Sequence, residues 1–143
     1  METLGPGRAG VTVRPTNSGR RLGVATAPRT TKSTLFIRIQ LPNGDRFGPG
    51  KAQLLAAIER TGSISEAARS IRMSYRRAWL LVDGAGKSFG RPLVSAATGG
   101  RRGGGATLTP FGRAVLASYS RLAKAAASGA AEELRRFDRW AGE

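Results

Sequence analysis

"SISEAARSIRMSYRRAWLLVD", Ser63 to Asp83, places four arginines among apolar residues that recur at helical spacing. Ile64, Ala67, Ala68 and Ile71 form one apolar side, and the period restarts with Ala78, Leu81 and Val82. Ser63 or Ser65 supplies an N-cap for the first segment, with Glu66 close to the capping-box position. Ser74 supplies an N-cap for the second. The spacing therefore predicts two short helices joined by a tight turn, a helix-turn-helix. In that motif the second helix enters the major groove of duplex DNA, its N-terminal residues against the base edges. Those residues are Ser74, Tyr75, Arg76 and Arg77. A guanidinium can bind guanine in bidentate fashion, worth about 1–3 kcal/mol of discrimination. Ser63, Ser65 and Arg69 on the preceding helix are placed for phosphate contacts.

Working outward on the N-terminal side, Leu35, Ile37, Ile39 and Leu41 alternate with Phe36, Arg38 and Gln40, which is strand periodicity. "NGD", Asn43 to Asp45, is a turn signal, so a strand and hairpin are expected before the helices. A helix follows from Pro49 through Arg60, with Leu54, Leu55, Ala57 and Ile58 on its apolar face and Gly62 as its left-handed stop. Residues 1–33 mix Gly, Pro, Thr and Arg without a sustained period. They carry Arg8, Arg14, Arg20, Arg21, Arg29 and Lys32 against the single acid Glu2. That composition predicts a disordered basic arm, either a plain solvated tail or a groove-reading extension.

On the C-terminal side, Gly84 and Gly86 each cost about 1 kcal/mol relative to alanine inside a helix, so the third helix is expected to end there. "PLVSAAT" and "ATLT" then read as two short strands joined by "GGRRGGG". The loop reads either as a passive linker or, given the flanking strands and the central Arg101 and Arg102, as a hairpin that grips the nucleic-acid backbone, and the second is expected. Thr109 caps a final helix with Pro110 in its first turn. Val115, Leu116, Tyr119, Leu122 and Ala126, then Leu134, Phe137 and Trp140, recur at spacings of three to four residues. This face is too apolar to be fully solvated, and the helix, if unbroken, extends far beyond so small a domain. A homodimer is expected, with Leu116, Tyr119, Leu122, Leu134 and Phe137 at the contact. Ser128 and Gly129 mark a weak point in that helix.

Composition narrows the function. The 143 residues carry a formal charge of +15, which points to a polyanionic partner. There is no cysteine and no histidine, so thiolate chemistry, the commonest general base and the commonest metal ligand are all missing. No paired arrangement of the nine carboxylates suggests catalysis, and neither an enzyme nor a cofactor is expected. No apolar run approaches the roughly 18 residues that span a bilayer, and the N-terminus lacks a signal-peptide core. A cytoplasmic protein with no membrane partner is expected. "GKS" at Gly86 to Ser88 is not a phosphate loop, because Leu81 stands where that loop needs glycine.

"TGSISEAARSIRMSYRRAWLLVD" followed by "PLVSAATGGRRGGGATLTPFGRAVL" resembles the N-terminal DNA-binding domain of ModE-type molybdate-responsive transcriptional regulators. The resemblance runs from about Leu35 to Lys124. It implies a winged helix-turn-helix that dimerises through its long C-terminal helix. Ser74, Tyr75, Arg76 and Arg77 would fall on the recognition helix, about 74–83, and Gly99 to Gly105 on the wing. Arg72 stands where the family has glycine before Met73, which would cost about 1–2 kcal/mol if the position needs positive φ. The chain ends soon after the dimerisation helix, so the family's separate oxyanion domain is expected to be missing and molybdate is not expected to bind.

The fold class is thus mostly α with small β, a winged helix-turn-helix with an N-terminal strand and hairpin, a β wing and a long C-terminal dimerisation helix. Residues 1–33 form the arm, 34–109 the DNA-binding domain and 110–143 the dimerisation helix. The expected function is sequence-specific binding of double-stranded DNA in transcriptional regulation. A sequence-tolerant nucleoid-associated or RNA-binding protein is the alternative.

Overall fold

A computed structural model describes residues 31–96 and 105–142. The basic arm up to residue 30 and most of the "GGRRGGG" segment, with Arg101 and Arg102, lie outside the described residues. The described chain is mostly helical with two small antiparallel pairs of strands. β1 (Ile39–Gln40) pairs with β2 (Arg46–Phe47), setting Ile39 opposite Phe47. Gly44, at φ +87°, turns the chain between them, and the Asn43 side chain accepts a hydrogen bond from the Asp45 N–H. The strand is shorter than the alternation from Leu35 predicts. β2 has room for only two residues before Gly48 and Pro49 start a helix, so Leu35 and Phe36 have no strand opposite them and stay exposed.

α1 (Pro49–Thr61) buries Leu54, Leu55, Ala57 and Ile58, and stops at Gly62, whose φ is +70°. α2 (Ile64–Ser70) is capped by Ser63, whose hydroxyl accepts from the Glu66 N–H, and buries Ile64, Ala67 and Ala68. α3 (Tyr75–Phe89) is capped in the same way by Ser74, which accepts from the Arg77 N–H. Both caps satisfy amide groups that would otherwise lack a partner at the helix start.

The link between α2 and α3 is set by Arg72. Its φ is +55°, the one positive value among the described non-glycine residues. The Met73 N–H reaches the Ala68 carbonyl at 2.8 Å and the Arg72 N–H reaches the Arg69 carbonyl at 3.2 Å, the two bonds of a Schellman ending. An arginine in the left-handed region costs about 1–2 kcal/mol that glycine would not. Arg72→Gly is therefore expected to raise stability by about 1 kcal/mol, after the larger backbone entropy of glycine is set against the relief. Urea denaturation at unchanged slope measures it, and a lower midpoint would contradict it.

α3 does not end at Gly84. It runs five residues further and closes at Gly90, φ +64°, with a second Schellman pair from Gly90 and Arg91 to Lys87 and Gly86. The cost of two helical glycines is offset by burial. Ala85 is buried, and the Phe89 ring meets Phe47 and Phe111 edge-on with centroids 5.9 and 5.8 Å apart.

β3 (Val94–Ala96) and β4 (Ala106–Leu108) pair antiparallel as expected, and the Ala106 N–H bonds the Gly62 carbonyl at 2.8 Å, one residue before the α2 cap. α4 (Pro110–Gly129) begins at Thr109, whose hydroxyl accepts from the Gly112 N–H and donates to the Pro92 carbonyl. The C-terminal segment is not one helix. α5 (Ala131–Gly142) starts after Ala130, whose ψ of 4° departs from helical geometry. The hydrogen bonds from the Ala130 N–H to Ala126 and from the Leu134 N–H to Ala130 persist across this point, so it is a bend with the ladder partly kept.

The core joins Phe47 of β2, Leu54, Leu55 and Ile58 of α1, Ala67 of α2, Ala78 of α3, Leu93 just before β3 and Leu108 of β4. Tyr119 of α4 belongs to it as well. Its ring packs edge-on against Phe47 at 5.4 Å, and its hydroxyl donates to the Ile37 carbonyl at 2.8 Å. The same extended segment is held at its start by Ser33, whose backbone N–H donates to the Asp138 carboxylate. Hydrogen bonds from the Ser33 side chain and backbone hold the Asp138 carboxyl below its ordinary range.

Candidate nucleic-acid interface

The cap at Ser74 sets the phase of α3. With Ala78, Val82 and Ala85 buried, the turns between them must face solvent. Ser74, Tyr75, Arg76 and Arg77 are all exposed at the start of the helix. Ser65 and Arg69 of α2 are exposed too, and Ser63 is half-buried with its hydroxyl engaged in the cap. A phosphate contact by Ser63 would have to use the second lone pair of that oxygen or compete with the cap.

Electrostatics favour this face for an anion. Among the described residues the ion pairs are Lys87 with Asp83, Arg113 with Glu59, Arg135 with Glu132 and Arg136 with Glu133. Four of the seven described acids are held in these pairs, Asp83 of α3 among them. None of Arg69, Arg72, Arg76 and Arg77 takes part in those pairs. Their charge faces water without a carboxylate partner, so it is available to phosphate or base edges. The pairs on α5 are exposed and contribute little to stability.

Tyr75 is more constrained than the sequence implied. The Trp79 indole N–H donates to its hydroxyl at 2.5 Å, one helical turn away. The two rings line the flank of α3, and Trp79 borders a cleft of about 450 Å³ with Gly86, Lys87, Arg91, Leu93 and Val94. Trp79 is thus at an exposed edge and not in the core. Leu80 and Lys87 also lie exposed on α3, and reasoning from the motif had passed over both. The signal was present: Leu80 is two residues from Ala78, and two steps of a helix reverse the direction of a side chain.

The residues expected at a dimer contact divide. Tyr119 is only 9% exposed and packs mainly into its own core, with an edge left on the floor of an apolar groove beside α4. Leu116 is half-buried and packs against that core. Leu122 is 45% exposed, Leu134 is half-buried, and Phe137 is 57% exposed with its ring edge-on to Trp140 at 5.4 Å. α5 buries nothing. That groove, of about 530 Å³, is lined by residues that include Leu41, Phe89, Phe111, Val115 and Leu122.

Among the described residues no group of three or more carboxylates is placed to hold a metal ion, and no helix is long and apolar enough to cross a membrane.

No protein-family model matches the chain. Individual proteins do. The molybdenum-pterin-binding protein MopB of Rhodobacter capsulatus is 45% identical over 96 residues, 67% of this chain and 34% of that protein. The molybdenum transport protein ModE of Azotobacter vinelandii is 42% identical over 94 residues, 64% of this chain and 35% of that one. The DNA-binding transcriptional dual regulator ModE of Escherichia coli K12 is 38% identical over 93 residues, 65% of this chain and 36% of that one. The chain spans about a third of the length of these relatives.

Proposed function

We propose that this chain is a winged helix-turn-helix that binds specific duplex DNA in transcriptional regulation. One observation carries the reading: α3 presents exposed arginines, free of carboxylate partners among the described residues, from a capped N-terminus that follows α2 by one tight turn. In this reading α3 lies in the major groove, with Arg76 and Arg77 on base edges and Ser74 and Tyr75 beside them. Ser63, Ser65 and Arg69 meet phosphates, and the segment 99–105, with Arg101 and Arg102, grips the backbone as the wing. The similarity to a DNA-binding regulator of Escherichia coli supports the same assignment. The names of other relatives mention molybdenum, but the match covers about a third of their length, and molybdate binding is no part of the proposal.

Selection of preferred duplexes from a random pool tests the function. A recurrent motif, bound more tightly than scrambled duplex, single strand or structured RNA, is the expected result. Binding without a motif would favour a sequence-tolerant architectural protein, and preference for RNA would overturn the duplex reading.

The proposal includes a homodimer, which doubles the site read by one α3. The exposed Leu122, Phe137 and Trp140 and the apolar groove beside α4 support it. Sedimentation equilibrium is expected to give a mass near twice 15.0 kDa. Because Leu116 and Tyr119 pack into the monomer's own core, Leu122→Asp with Phe137→Asp is the cleaner disruption. That variant is expected to be a folded monomer with weak binding to a half-site. A wild-type protein that stays monomeric at tens of micromolar would refute the dimer.

A further inference from the structure

We infer that Leu80 reads the 5-methyl group of a thymine within two base pairs of the one bound by Arg76 or Arg77. This rests on the placing of α3 in the major groove. An isolated exposed leucine needs no explanation on most surfaces. Leu80 differs in its position. Ala78 is fully buried, and the residues two before and two after it, Arg76 and Leu80, both turn to the opposite, solvent side of α3. Leu80 is 63% exposed in the middle of the face that the proposal turns toward the bases.

The surroundings leave that contact open. Gly84 stands one turn further along the same stripe, and the space where its Cβ would be is empty. Asp83, which would repel DNA from this side, is paired with Lys87 at 2.6 Å. Trp79 is turned to the flank and held by its bond to Tyr75, so it does not shade Leu80. In the major groove the thymine methyl is the one apolar feature of the base edges, and an aliphatic side chain is its natural complement.

Helix geometry sets the distance. Leu80 follows Arg76 by four residues, about 6 Å along the axis, while base pairs repeat at about 3.4 Å. The thymine therefore lies one or two base pairs from a guanine that an α3 arginine reads.

The test uses the intact protein and the duplex obtained by selection, with each thymine replaced in turn by deoxyuridine, which lacks only the methyl. For wild type, one such replacement within two base pairs of the guanine is expected to weaken binding about fourfold, the affinity equivalent of one buried methyl. Leu80→Ala, a favourable helix residue at an exposed position, is expected to fold normally. It should bind the thymine and deoxyuridine duplexes equally while keeping its preference for the guanine. A wild type indifferent to deoxyuridine at every position, or a Leu80→Ala variant that still distinguishes the two bases, would overturn the inference. Failure of the underlying reading looks different, because selection would then give no motif in which to place the replacement, and the inference falls with it.

Discussion

Gly112→Ala is expected to lower stability by about 3 kcal/mol, at the upper end of the cost of overpacking. A Cβ at this position would stand 2.0 Å from the Leu93 carbonyl oxygen and 2.9 Å from its carbonyl carbon. Both are backbone atoms that cannot swing aside. The Leu93 oxygen is itself held, accepting from the Thr109 N–H at 2.9 Å, and the Leu93 side chain is among the most deeply buried. Relief would require α4 to lift away from Leu93, just before β3. That movement would strain the Thr109 cap and expose the contact between Phe111 and Phe89. The glycine of "TLTPFG" is thus a close-approach residue, and its conformational freedom is beside the point. Thermal and urea denaturation of the variant measure the loss, and a change below 1 kcal/mol would show that α4 can slide without cost. The same change at Gly84, where nothing lies within 4 Å, serves as the control and is expected to stabilise α3 slightly.

Arg76→Ala and Arg77→Ala are each expected to reduce the preference for the selected duplex over random duplex by about 1–3 kcal/mol, the worth of one bidentate base contact. Both side chains are exposed at the start of α3 and take part in none of the ion pairs among the described residues, so truncation should leave the fold intact. Arg101→Ala with Arg102→Ala is expected to behave differently. Loss of backbone contacts weakens binding to every duplex and flattens the dependence on salt, with base preference retained. Competition binding at two or more salt concentrations separates the two outcomes. If the 101–102 changes altered base preference and the α3 changes did not, the roles assigned to helix and wing would be reversed.

The local parts of this fold were legible in the sequence because their causes lie within a few residues. Ser63, Ser74 and Thr109 cap helices by bonding N–H groups three positions ahead. Gly62 stops α1, and "NGD" closes the hairpin through bonds spanning two to four residues. The strained Arg72 was visible for the same reason, since a Schellman ending is a property of six consecutive residues. Most of the candidate interface followed from this, because the cap at Ser74 determines which residues begin α3. Its outward face follows from the same period, since Leu80 lies two residues from the inward Ala78.

What only the tertiary structure decided depends on residues far apart in the chain. α3 continues through Gly84 and Gly86 because Phe89 finds Phe47 and Phe111, and no window around the glycines contains those rings. The strand expected from Leu35 is cut to Ile39–Gln40 because its partner is short. Tyr119 has the spacing of a surface stripe, yet it turns inward to bond Ile37, 82 residues earlier. Helical periodicity marks an apolar face but not what covers it, since burial free energy is gained equally against the chain's own core or a second chain. Gly112 looks like a flexible position in the sequence, and only the approach of Leu93 makes it a steric requirement.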